Sequence, residues 1–174
     1  MTRGAGGDVR WCTPQVYLDA VEAYAPIDLD PCWDPNAIVN ARRRISIHSG
    51  EDVETVANSL IEKWTPEGKQ ALTFVNPPYG RAHNKTWAGK IRFEGGLAIL
   101  CGASLIALVP ASTSSKWFLE YVDSATCIFF PTGRAKFIGE GTDNPSFDVC
   151  FVYYGTNAHQ FRTAFHSKLI GWSR

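Results

Sequence analysis

Apolar positions along the chain recur at two spacings, and the alternation between them sets out the elements. After Thr13-Pro14, Tyr17, Leu18, Val21 and Tyr24 recur at helical spacing. Thr13 reads as an N-cap and Pro14 as the first helical position, so a helix is predicted to about Tyr24. Pro26 closes it. Ile27-Asp28-Leu29-Asp30 predicts a short strand running into Pro31, and Cys32 to Ala41 predicts loop. Arg44 to Ile47 alternates as a strand does, and Val53, Val56, Ala57, Leu60 and Ile61 return to helical spacing. Leu72 to Val75 is an apolar strand that stops at Asn76-Pro77-Pro78-Tyr79. A helix carrying Trp87 and Ile91 on one face follows, and Gly95-Gly96 is expected to break or bend it. Leu105 to Val109 predicts a buried strand and Ser115 to Val122 a short helix. Thr126 to Phe130, Ala135 to Ile138 and Phe147 to Tyr154 predict strands. Ala158 to Ile170 predicts a terminal helix with Phe161 and Phe165 in the core. The last three strands have no long helices between them, so they are expected to pair antiparallel. The whole reads as an α/β sheet with an antiparallel edge in its C-terminal part.

Composition narrows this picture. The 174 residues suit one domain, here 11–174 behind a flexible arm at 1–10. Lys and Arg number 17 and Asp and Glu also number 17, which argues against binding nucleic acid through bulk charge and leaves room for a local basic patch. Six of the acids fall between Asp8 and Asp34. The 5 cysteines include no C-x-x-C pair and the 4 histidines no H-E-x-x-H, so reduced core thiols are expected and no metal site. The start of the chain has no apolar signal segment, and Leu97 to Ala111 is too short to cross a bilayer. A soluble, cytoplasmic protein with no membrane partner is expected, and no pattern fixes its oligomeric state.

The chemistry concentrates at Asn76-Pro77-Pro78-Tyr79, at the carboxyl end of an apolar strand, where α/β sheets place their sites. The Asn76 side-chain oxygen can accept from an NH2 group. Pro77 restricts the backbone so that a neighbouring carbonyl is held outward as a second acceptor. Tyr79 offers a flat face on which a base can stack. Two acceptors on one exocyclic amine draw its protons out of the ring plane, make the nitrogen more nucleophilic and stabilise the charge it gains. A rigid Pro-Pro turn is the competing reading of a bare tetrapeptide. Asp28-Leu29-Asp30-Pro31-Cys32, a second strand end, could accept from an amine or ribose hydroxyl of a nucleoside ligand. No G-x-G-x-x-G is present.

These segments, in this order, resemble the bacteriophage-type DNA N-6-adenine methyltransferase (Dam-like) family over roughly Trp11 to Tyr154. Trp11-Cys12-Thr13-Pro14 resembles the family's W-x-T-P, and Leu29-Asp30-Pro31 with Asn36 or Asn40 its cofactor segment. Gly50-Glu51-Asp52 before Trp64 resembles its acidic segment, and Asn76 to Tyr79 its catalytic motif. Leu108-Val109-Pro110 with Thr113 and Trp117, and Gly133 to Phe137 with Pro145-Ser146, are similar to its closing elements. Cys32-Trp33-Asp34-Pro35 departs from the small residues common in the glycine-rich loop of larger methyltransferases. The resemblance implies a Rossmann-like S-adenosylmethionine-dependent methyltransferase fold, an enzyme with DNA as substrate, and a host-cell cytoplasmic location if phage-encoded. It implies that Trp11, Thr13, Pro14, Asp30, Pro31 and Asp52 hold the cofactor and that Asn76, Pro77, Pro78 and Tyr79 hold the target base.

Arg81, His83 and Lys85 directly follow the motif, and Arg134 with Lys136 forms a further basic cluster; these are the candidate phosphate contacts. Arg42-Arg43-Arg44 and Lys90 with Arg92 are further basic groups. Other targets pose the same amine problem: cytosine N4, RNA or protein glutamine. A non-catalytic nucleic-acid-binding module of the same fold is a reading of a different class.

Overall fold

The computed structural model describes residues 12–46, 59–64, 70–80, 83–138 and 147–174. Seven strands form one mixed sheet. In chain order the elements are α1 (Gln15–Tyr24), β1 (Leu29–Trp33), β2 (Arg43–Ser46), β3 (Leu72–Val75), α2 (Asn84–Cys101), β4 (Ser104–Pro110), α3 (Lys116–Val122), β5 (Cys127–Pro131), β6 (Val149–Tyr154), α4 (Ala158–Lys168) and β7 (Gly171–Ser173). The sheet runs β2-β1-β3-β4-β6-β5-β7. The first four strands are parallel, and β6 lies antiparallel between β4 and β5. This is a Rossmann-like methyltransferase arrangement with an antiparallel C-terminal part, as expected.

Two apolar layers sandwich the sheet. Tyr17, Leu18 and Val21 of α1 and Phe161 and Phe165 of α4 pack with Phe74, Leu108 and Phe151 on one face. Trp87 and Ile91 of α2 and Phe118 and Tyr121 of α3 pack with Val75, Val109 and Val152 on the other. The central strands therefore read as continuous apolar runs, because both faces are covered.

Several boundaries differ from the sequence reading. β1 begins later than expected and continues through Pro31 into Cys32 and Trp33, where the sequence predicts loop. Pro31 is tolerated because the pairing with β2 shifts register between Asp30 and Trp33, and a bulge spares the missing donor. α2 passes unbroken through Gly95-Gly96. Gly95 serves contact: any Cβ there would run into the Tyr154 ring. Residues 135–138 form no strand; only an isolated bridge joins Ile138 to Cys12. α4 stops at Lys168, and Gly171–Ser173 adds an edge strand that was not foreseen. Cys101 is exposed rather than buried, because it ends α2. The 1–10 arm and Val53 to Ala57 lie outside the described residues. No helix among the described residues is long and apolar enough to cross a membrane.

Candidate active site

β1 leads outward to β2, while β3, on the other side of β1, leads to β4. Chain direction across the sheet therefore reverses between β1 and β3, and a crevice forms outside their carboxyl ends. Asn76 to Tyr79 emerge at one side of this switch point. The Asn76 Nδ2 donates to Thr13 Oγ1 at 3.0 Å, and its Oδ1 accepts from the Tyr79 hydroxyl at 2.7 Å. That hydroxyl also lies 3.0 Å from the Leu108 carbonyl oxygen of β4. The Tyr79 ring meets Phe137 and Phe147 edge-on, with centroids 5.9 and 5.5 Å away. Burial pushes its phenol well above the usual range. Tyr79 is thus half-buried against the sheet, with its hydroxyl held by Asn76 and Leu108. Pro77 is buried and Pro78 half-buried.

Thr13 does not cap α1. Pro14 is the N-cap residue, with no side-chain cap bond, and its carbonyl accepts from the Tyr17 and Leu18 N–H groups. Thr13 is 2% exposed, and its hydroxyl is turned to Asn76 instead.

Asp30 lies within β1 rather than at its end and is 3% exposed. Its Oδ1 accepts from the Cys32 N–H at 2.9 Å. Burial pushes its carboxyl up to about 7, against the lowering influence of that N–H and of Arg44. Arg44 is its cross-strand partner, and the Arg44 guanidinium stands 5.3 Å from the Trp33 ring centroid. The Trp33 indole N–H is buried with no hydrogen-bond partner among the described residues. Asp34, where β1 ends, is a buried carboxylate that sequence reasoning passed over; its Oδ1 accepts from the Asn36 N–H at 2.7 Å. Its only signal was the Asp-Pro-Asn turn. Asp28 is structural: its carboxylate accepts from the Leu72 N–H and pairs with Arg42, both at 2.9 Å. Trp11, Asp52 and Arg81 lie outside the described residues.

A family model for DNA N-6-adenine-methyltransferase (Dam) matches residues 2–150. The chain belongs to this family. No curated protein matches it. As a Dam-family member the chain is an enzyme of the DNA adenine-methyltransferase class.

The candidate basic clusters of this Dam-family chain differ in their pairing. Arg42 pairs with Asp28, Arg43 with Glu62 at 2.5 Å, and Arg92 with Glu120 at 2.6 Å. Lys90 pairs with the buried Glu94 at 2.8 Å and donates to the Glu62 carbonyl. Of these pairs only Lys90–Glu94 is buried; those of Arg42, Arg43 and Arg92 lie at the surface. Lys85, Arg134 and Lys136 are exposed and make no ion pair with any described residue, and His83 is half-buried at the start of α2.

Proposed function

We propose that the chain transfers the methyl group of S-adenosylmethionine to the exocyclic N6 amine of adenine in DNA. The observation that carries this reading is the Asn76 carboxamide, held at both ends beside the β1–β3 switch point. An amide oxygen has two lone pairs, so Asn76 Oδ1 can receive an amine proton. A backbone carbonyl of the Pro77-Pro78 segment is the second acceptor. Together they orient the amine and stabilise the positive charge it gains. The base reaches the pocket beside Tyr79 by flipping from a duplex or from a single strand.

Bound S-adenosylmethionine supplies an electrophilic methyl group on a sulfonium. Two features of β1 fit such a ligand. Asp30 is a buried carboxyl whose charge lacks full compensation, and a cationic ligand would supply it. The unpartnered Trp33 N–H is a donor for a ligand acceptor. Thr13, Pro14, Asp30 and Pro31, with Trp11 and Asp52, are the proposed cofactor segment. Arg81, His83, Lys85, Arg134 and Lys136 are the proposed phosphate contacts.

The test is methyl transfer from labelled S-adenosylmethionine, followed by digestion of the DNA to nucleosides. Label is expected in N6-methyl-2′-deoxyadenosine, and Asn76→Ala is expected to abolish it while ligand binding, read as a rise in thermal midpoint, persists. Label in cytosine, RNA or protein alone refutes the adenine reading. Absence of any midpoint rise at saturating ligand favours the non-catalytic module.

A further inference from the structure

We propose that the outward face of α2 is a self-association surface, on which two copies of this chain pair antiparallel about a two-fold axis. Phe93 and Leu100 of each copy then seat on Gly96 and Gly89 of the other. The inference goes beyond the methyltransferase reading and does not depend on it.

α2 is apolar on two sides. Trp87, Ile91 and Ala98 turn to the sheet and are buried. A helix with one buried face ordinarily carries charged and polar residues on the opposite one. Here the opposite stripe is Gly89, Phe93, Gly96 and Leu100, with Phe93 62% and Leu100 83% exposed. Gly89 and Gly96 have nothing within 4 Å of the position a Cβ would take. Two large apolar side chains and two open glycine seats thus alternate along one face.

Their spacing is what a second copy of the same helix requires. Steps of four, three and four residues keep these positions on one seam, where packed helices interdigitate. Positions 93 and 96 share a midpoint between Glu94 and Gly95, and positions 89 and 100 share the same one. A single two-fold axis therefore sets every large side chain opposite a glycine, as a self-complementary contact demands. Parallel pairing would set Phe93 against Phe93 and Leu100 against Leu100. Charge favours the same arrangement. Lys85, Lys90, Arg92 and Glu94 lie in the first part of α2, and Gly95 to Cys101 carry no charge. Antiparallel helices place the charged part of one beside the uncharged part of the other and oppose their dipoles. Parallel helices would bring Lys85 and Arg92 beside their own copies. Two more exposed apolar residues adjoin α2, Ile61 next to Glu62, whose carbonyl accepts from Lys90, and Leu119 next to Glu120, which pairs with Arg92. The 18 residues of α2 span about 27 Å. With these flanks the face is near the lower limit of specific interfaces, about 600 Å² a side, so a dimer of roughly micromolar affinity is expected.

Sedimentation equilibrium of the full chain over about 1–100 μM is expected to show monomer passing to dimer. Gly96→Phe fills the seat of Phe93 in two symmetry-related layers and should weaken the dimer at least about tenfold, as overpacking does. Adding Phe93→Ala to it exchanges the large and small positions and is expected to restore association. Only positions 93 and 96 facing each other across the axis allow that rescue. Urea unfolding of dilute protein, where the chains are single, checks that each variant folds. If Gly96→Phe fails to fold, Gly89→Glu replaces it and is expected to abolish association, because it buries an unpaired charge against Leu100. A parent chain that stays single throughout the series overturns the proposal, whether the stripe is then free or serves another partner. A dimer unchanged by Gly96→Phe or Gly89→Glu overturns it too, as does a folded double variant that stays single.

Discussion

A carboxyl group kept from water holds its proton into the neutral range, and Asp30 is such a group. Its pKa moves from 3.8 to about 7, because burial outweighs the Cys32 N–H and Arg44. The folded state then binds a proton that the unfolded chain releases. Asp30 adds stability that is complete below 3.8 and is lost as pH rises through about 7. The slope in between is on the order of 1 kcal/mol per pH unit. Denaturant unfolding between pH 5 and 8 should show this decline, and Asp30→Asn should flatten it; an equal slope in both proteins disproves the assignment. At this scale the sequence was informative about residue types and silent about their direction. Asn76 to Tyr79 announce themselves because a polar residue and two prolines interrupt an apolar strand. That the Tyr79 hydroxyl turns to Asn76 and Leu108 depends on strands distant in the chain. The Thr13–Asn76 bond joins positions that no local pattern connects.

At the level of elements, legibility followed burial. β3 lies where its apolar run placed it, since a strand covered on both faces has no competing periodicity. β1 was displaced because a proline in sequence reads as an end, whereas a bulge accommodates it. β7 escaped because three residues are too few for any period to appear. The most instructive miss is α2, where two adjacent glycines suggested a break. They have unlike roles. Gly95 lies against the Tyr154 ring, and Gly96 has nothing within 4 Å of the position a Cβ would take. Gly95→Ala is therefore expected to destabilise the protein by about 2 kcal/mol through overpacking. Gly96→Ala should stabilise it by about 0.5–1 kcal/mol, as a helical glycine gains on replacement in open space. Urea unfolding of the two variants checks the opposite signs; two shifts in the same direction would contradict the packing at Gly95.

Over the whole molecule, equal numbers of acidic and basic residues conceal an uneven division of labour. Arg42, Arg43, Lys90 and Arg92 pair with acids of the same chain, while Lys85, Arg134 and Lys136 are exposed without such partners among the described residues. If three or four phosphates are neutralised, the logarithm of DNA affinity should fall with the logarithm of salt at a slope of about −3 to −4. Lys85→Ala should make that slope shallower by about 1, measured by fluorescence anisotropy in a KCl series. An unchanged slope places the DNA on another face. The sheet itself imposes an order of assembly. β6, made late in synthesis, belongs between β4 and β5, and it pairs with β4 from Leu105↔Tyr154 to Pro110↔Val149. Until Tyr154 has left the ribosome, the facing edges of β4 and β5 have no strand to receive. The growing chain therefore presents open apolar edges of β4 and β5 to its surroundings until its keystone strand arrives.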